Sequence, residues 1–193
     1  MPIISSKVFS SIINTSLPGL LVETTYQSQP QQNIVQVRIG RNDIVDYMRR
    51  QHNLLIGERS AERIKIEVGS ALPELDNPPE DYPIQGRDLM TGTPKEIKVS
   101  YVEIAHALDK SITKIEAAIL NALEMTPPEL SADIYRTGLY LAGGGSLLRG
   151  LDKRISLKTK LPVHVAEDPL RAVARGTGIA LKNSAKLPFL IRN

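Results

Sequence analysis

The chain has 193 residues, of which 41% are hydrophobic, 23% charged and 4% aromatic, with a formal net charge of +3. That length suits one compact domain or two small ones, and the balance of apolar and charged residues is that of a folded protein. The absence of Cys excludes disulfides, thiolate metal sites and a cysteine nucleophile, and His52, His106 and His164 are too far apart for the helical spacing of a zinc site. So small a basic excess, without Trp, leaves no footprint for nucleic acid, and no nucleic-acid partner is expected.

Residues 1–36 are rich in Ser, Thr, Gln and Asn and include the low-complexity stretch QSQPQQN. Only Leu20 to Thr24 and Ile34 to Ile39 read as short strands. Ser, Asn, Thr and Pro interrupt the opening apolar residues, no Ala-x-Ala-like cleavage site follows, and no stretch reaches about 18 apolar residues. A cytoplasmic chain is therefore expected.

From about Val37 the punctuation sharpens. Asn42 is placed to cap a helix running to about His52, with Ile44, Val45 and Met48 as its apolar stripe. A second helix follows Gly57, with Ala61, Ile64 and Val68 on its buried face and Glu62, Lys65 and Gly69 on an adjoining one. LPELDNPPEDYP reads as a proline-rich acidic loop. YPIQGRDLMTGTPKEIKVS reads as a hairpin turning at Thr91 to Pro94. Ser100 and Glu103 have the spacing of a capping box. In the long helix they begin, Ala105, Leu108, Ile112, Ile115, Ile119 and Leu123 predict one face buried from end to end. Pro127 and Pro128 stop that helix and start a short one.

The last third alternates strand and helix. Gly138 to Ala142 is a strand, Gly143 to Gly145 a turn, and SLLRGLDKRI a helix beginning at once. PVHVA is a strand, and Asp168-Pro169 reads as N-cap and first turn of a final helix with Leu170, Val173, Ala174 and Leu181 inward. The alternation predicts an α/β fold carrying a small α+β insertion.

Two features carry candidate chemistry. Three glycines between a strand and a helix let backbone N–H groups approach a phosphate or sugar without Cβ obstruction. The string is neither a P-loop nor a G-x-G-x-x-G fingerprint, and taken alone it reads equally well as a tight turn with no ligand. Glu62 and Lys65 could hold a ribose and cover a base with the lysine stem. Spacing alone favours an ordinary solvated i,i+3 ion pair. Arg49-Arg50 and Lys153-Arg154 read as solvated helix faces, His106 as a helix-surface or boundary residue, and Ser146 lacks the elbow of a serine hydrolase.

LIGERSAERIKIEVGSA, GRDLMTGTPKEIKVS, TPPELSADIYRTGLYLAGGGSLLRGLD and PVHVAEDPLRAVARGTGIAL, in that order, closely resemble the C-terminal half of the MreB family of bacterial actin homologues. The resemblance runs from about Val37 to the C-terminus and does not extend to residues 1–36. It implies an incomplete actin-like ATPase (ribonuclease-H-like) fold: an outer subdomain over about 57–100, core over 101–166, and a helix and tail returning to the first half over 167–193. Carried over by position, Glu62, Arg63, Ile64 and Lys65 match the helix that contacts the adenosine of ATP. Gly143, Gly144, Gly145 and Ser146 match the glycine turn beneath the nucleotide. The resemblance further implies self-association into filaments at the inner membrane, cell-wall elongation proteins as partners, and a role in cell shape.

Departures from the family pattern bear on activity. Neither an Asp-x-Gly-Thr nor an Asp-x-Gly-Gly-Gly-Thr phosphate loop occurs in the chain, and the residues that hold Mg²⁺ and position the attacking water belong with them. VRIGRND stands where the family has a longer loop. The expectation is a truncated or frameshifted copy with impaired activity and no ATPase of its own, since phosphoryl transfer depends on positioned phosphate and metal contacts. The competing reading is an independent small nucleotide-binding module that does not polymerise.

Overall fold

The computed structural model describes residues 40–182, so the strands expected at Leu20 to Thr24 and Ile34 to Ile39, and the whole polar head, lie outside the described residues. Helix α1 (Arg41–His52) and helix α2 (Glu58–Val68) are separated by a two-residue strand β1 (Leu54–Leu55) that the sequence pattern did not announce. Strands β2 (Tyr82–Asp88) and β3 (Pro94–Val99) form the expected hairpin, with Tyr82 opposite Val99 and Arg87 opposite Pro94. Strand β1 joins its edge antiparallel, Leu54 opposite Asp88, to give the order β1-β2-β3.

Helix α3 (Tyr101–Glu124) begins at the capping box: the Glu103 N–H donates to Ser100 Oγ at 3.3 Å and the Ser100 N–H to Glu103 Oε2 at 2.9 Å. Its inward residues Ile104, Leu108 and Ile112 meet Ile44 and Met48 of α1, Ile64 and Val68 of α2, and Val99 of β3 in one core. Each fully buried side chain of this size contributes about 1.5–3 kcal/mol of transfer free energy. The long helix is not buried from end to end, however. Ile119 and Leu123 are only half-buried, because α1, α2 and the hairpin all pack on its first half.

After α4 (Pro128–Thr137), which has no buried residue, strand β4 (Leu139–Leu141) pairs parallel with β5 (Val163–Val165) through α5 (Leu151–Thr159). The final helix is α6 (Ala172–Lys182).

Three helix starts differ from the sequence expectation. Gly40, in extended conformation, is the N-cap of α1, and Asn42 lies exposed inside the first turn. The Asp43 carboxylate, which accepts the Ser111 hydroxyl of α3, lies back against Gly40, where a Cβ would collide with it, so the start falls at a glycine and no side chain caps it. Helix α5 begins at Leu151 and not at Ser146: Gly144–Leu147 is a 3-10 turn, and Gly150 in the left-handed region separates it from the α-helix. Helix α6 begins at Ala172. The Pro169 carbonyl, which would open its first turn, instead accepts the Gly143 N–H at 2.7 Å, and Asp168 to Arg171 closes as a turn. Leu170 and Ala174 are accordingly exposed and not inward. Among the described residues, no helix is long and apolar enough to cross a membrane.

Candidate functional site

Burial of Ala61, Ile64 and Val68 fixes the rotation of α2 and turns Glu62 and Lys65 onto its half-exposed flank. The Lys65 ammonium donates to Glu62 Oε2 at 2.9 Å, and Arg41 Nε of α1 stands 3.7 Å from the same oxygen. Two cations from two helices thus orient one carboxylate, whose Oε1 has no protein partner among the described residues and is open to accept a hydroxyl. Arg63 is exposed. Ile64 is fully buried in the core, so its part in any ligand site is to fix the helix. Gly69, expected beside Glu62 and Lys65, is buried as the C-cap of α2, its N–H on the Lys65 carbonyl.

The glycine turn is braced from within. The Ser146 hydroxyl donates to the Gly143 carbonyl at 2.7 Å, and the Ser146 N–H reaches the same oxygen at 3.2 Å. Gly143 has φ 85°, a conformation that L side chains rarely adopt. The N–H groups of Gly144 and Gly145 precede the first 3-10 hydrogen bond and, among the described residues, have no acceptor. They are a pair of adjacent backbone donors of the kind that cradles an anion. A Cβ on Gly144 would stand 3.3 Å from Leu170 Cδ2, so the turn lies directly under the exposed Leu170.

The fold joins these two motifs. Ser70, just past α2, bridges in parallel with Arg149, just past the glycine turn, and the Ala71 N–H donates to the Arg149 carbonyl at 2.8 Å. Arg149 Nη1 donates to the Ile66 carbonyl at 3.2 Å. The Leu72 side chain packs against the Gly150 backbone. Sequence reasoning missed Arg41, Arg149 and the Pro169 carbonyl, because each acts on a partner distant in the chain and leaves no local spacing to read.

The weaker candidates resolve differently from one another. Arg49 and Arg50 are exposed on the last turn of α1, and His106 is exposed on α3. Arg154 is no solvated face: Nε donates to Glu116 Oε1 at 2.5 Å, Nη2 stands 2.8 Å from Asp109 Oδ1, and Nη1 donates to the Ala71 carbonyl at 3.0 Å. Burial alone would push its guanidinium down, but Glu116 and Asp109 outweigh that and hold it up. Arg154 therefore locks α5 to α3 and to the end of α2. Among the described residues no group of His, Asp and Glu is arranged to hold a metal ion.

The MreB/Mbl protein family model matches residues 34–188. The chain is 47% identical over 146 residues to the cell shape-determining protein Mbl of Bacillus subtilis, and 47% identical over 150 residues to the cell shape-determining protein MreB of Escherichia coli. Both matches cover 76% of this chain and 43% of the relative, so the chain spans under half the length of those proteins. Among solved structures, MreB 5 of Spiroplasma citri bound to AMPPNP superposes with a TM-score of 0.71 at 39% identity, over 76% of this chain and 43% of that one. A MamK mutant bound to AMPPNP shares the fold at 20% identity, with a TM-score of 0.55 over 70% of this chain and 41% of that one. The mixed helix-and-sheet architecture is thus part of an actin-like fold, and the chain belongs to the MreB/Mbl family of cell shape-determining proteins.

Proposed function

We propose that this chain serves the family's role in cell shape by binding the adenosine side of ATP and by self-association into filaments at the inner membrane, where cell-wall elongation proteins would be its partners. The observation that carries the nucleotide reading is the joining of two ligand-competent motifs by the Ser70–Arg149 bridge. Glu62 Oε1 would accept a ribose hydroxyl, the Lys65 stem would cover the base, and the Gly144 and Gly145 N–H groups would meet phosphate oxygens. Ile64, Gly143 and Ser146 would shape the site, their polar groups engaged within the protein, and the exposed Arg63 would add a cationic donor beside it. Residues 57–100 would hold the outer subdomain, 101–166 the core, and 167–193 the helix and tail leading toward the other half of a protomer.

Titration calorimetry of the full chain tests this. Saturable binding of ATP and ADP with similar affinity is expected, weakened about 10- to 150-fold by Glu62→Ala, the loss of one hydrogen bond to a charged group. Steady-state phosphate release should equal that of a heat-treated control, because the two phosphate loops are not in the sequence. No saturable binding, or equal binding by wild type and Glu62→Ala, would overturn the proposal. The Spiroplasma MreB 5 structures with AMPPNP and ADP support it as family precedent.

A further inference from the structure

One side chain, as well as the backbone bridge, ties the helix of Glu62 and Lys65 to the glycine turn. Helix α2 ends at Val68. The Gly69 N–H closes onto the Lys65 carbonyl at 3.0 Å, but among the described residues no backbone N–H reaches the next carbonyl, that of Ile66. Arg149 Nη1 takes that place: it donates to the Ile66 carbonyl at 3.2 Å and reaches the Gly69 carbonyl at 3.5 Å. A cation on the last carbonyls of a helix satisfies them and also meets the negative end of the helix dipole.

The same residue stands at the exit of the glycine turn. The 3-10 turn over Gly144–Leu147 closes with the Leu148 N–H on the Gly145 carbonyl at 3.2 Å, and Arg149 is next in the chain. The contact on this side has no slack: Leu148 is buried, and a Cβ added at Gly69 would stand 2.9 Å from Leu148 Cδ1. Ser70, fully buried, lies between the Gly69 contact and the Ala71 N–H that donates to the Arg149 carbonyl. Arg149 therefore has its main chain fixed to the turn and its guanidinium on α2. At 1.5 Å per helical residue, Ile66 lies about 6 Å along α2 from Glu62.

A ligand that spans two subsites binds as a pair of tethered groups, and the second contact adds fully to the first only where the subsites are held at a fixed separation. We propose that Arg149 is the positioning residue that fixes this separation, so that the nucleoside contacts of α2 and the phosphate contacts of the glycine turn act together on a nucleoside polyphosphate. The proposal rests on the nucleotide reading above and names the side chain that makes its two halves one site. Arg149 touches no ligand atom in this scheme; it acts through Ile66 on one side and through the backbone of the turn on the other.

Displacement of a fluorescent ADP analogue from the full chain by adenosine, by pyrophosphate and by ADP separates the two halves from the whole. Arg149 is exposed, and the Ala71 bond to its carbonyl survives a change of side chain, so Arg149→Ala should fold. This variant should bind adenosine and pyrophosphate as wild type does and bind ADP about 3- to 10-fold more weakly, the range of a hydrogen bond whose charge is screened at the surface. Arg149→Lys, which still places a cation on the helix carbonyls, should recover most of that loss. Pyrophosphate weakened together with ADP would make Arg149 a direct phosphate contact, and an equal loss for all three ligands would make its role one of stability alone; either result overturns the proposal. So does ADP affinity unchanged in Arg149→Ala, or a loss that Arg149→Lys does not reduce. If the analogue gives no saturable signal with wild type, the nucleotide reading itself fails and the coupling falls with it.

Discussion

Two regions of this molecule use similar amphipathic elements to different ends. Around the first half of α3, the helices α1 and α2 and the β1-β2-β3 sheet bury one another's apolar stripes so fully that Ile44, Met48, Leu54, Ile64, Ile104, Leu108 and Ile112 are all inaccessible. In the β4–β5 region only the α5 side is closed, through Leu141, Leu151 and Ile155. Tyr140, Val165, Leu170 and Ile179 stay exposed, and α4 buries nothing. Periodicity gives each element an apolar face, but only a facing element turns that face into a core.

The contrast is sharpest in the effect of truncating a large side chain. Leu108→Ala should lower the unfolding free energy by about 2–5 kcal/mol, whereas Tyr135→Ala on α4 should change it by less than about 0.5 kcal/mol. Urea denaturation of the two variants measures the difference, and equal losses would break the comparison. Next in size is the joint between the regions. Arg154→Ala removes charge-assisted bonds to Glu116 and Asp109 and should cost about 1.5–3 kcal/mol. The exposed Arg136–Asp133 pair on α4 should tolerate Arg136→Ala within about 0.5 kcal/mol. Even the open region has one inflexible position. Gly138 has φ 77°, and a Cβ there would collide with the Pro162 carbonyl, so Gly138→Ala should cost about 1–3 kcal/mol in the same assay.

Among the positions expected to matter, the smallest loss belongs to the cap of α3. Burial raises the Glu103 carboxyl, but the Ser100 N–H and hydroxyl, together with His52 Nε2 at 2.9 Å, outweigh it and hold it below its ordinary value of 4.5. A carboxyl depressed in the folded state stabilises fully above its unfolded pKa and loses that contribution as pH falls through the folded one. Ser100→Ala should cost about 1 kcal/mol at neutral pH. Glu103→Gln should flatten the fall of the urea midpoint below pH 4.5; an unchanged acid slope would show that other carboxylates govern it.

What could be read from the sequence follows the range of the interaction. The capping box, the Pro128 start of α4, the hairpin and the α2 stripe are settled by residues within a few positions of one another and stand in the structure as expected, although the hairpin turns over 89–93 and Pro94 already belongs to β3. The α1, α5 and α6 starts fall at or beside Gly40, Gly150 and Gly143, whose close contacts, partners or backbone angles no local pattern reveals. The candidate site divides in the same way. The Glu62–Lys65 pair and the glycines were visible as strings, while Arg41 on Glu62 and Arg149 on Ile66 join segments that only the fold brings together.

The Ser70–Arg149 bridge also bears on the order in which the chain folds. It joins residues 79 positions apart, whereas the capping box closes over three and the hairpin over a short turn. Closing so long a loop has a larger entropic cost than either, and the helix pair and hairpin can form without it. The bridge is therefore placed to form late. Because the Ala71 amide donates across it, the protection of that single proton against solvent exchange reports when the chain has closed, and refolding pulse-labelling should find it protected after the amides of α3.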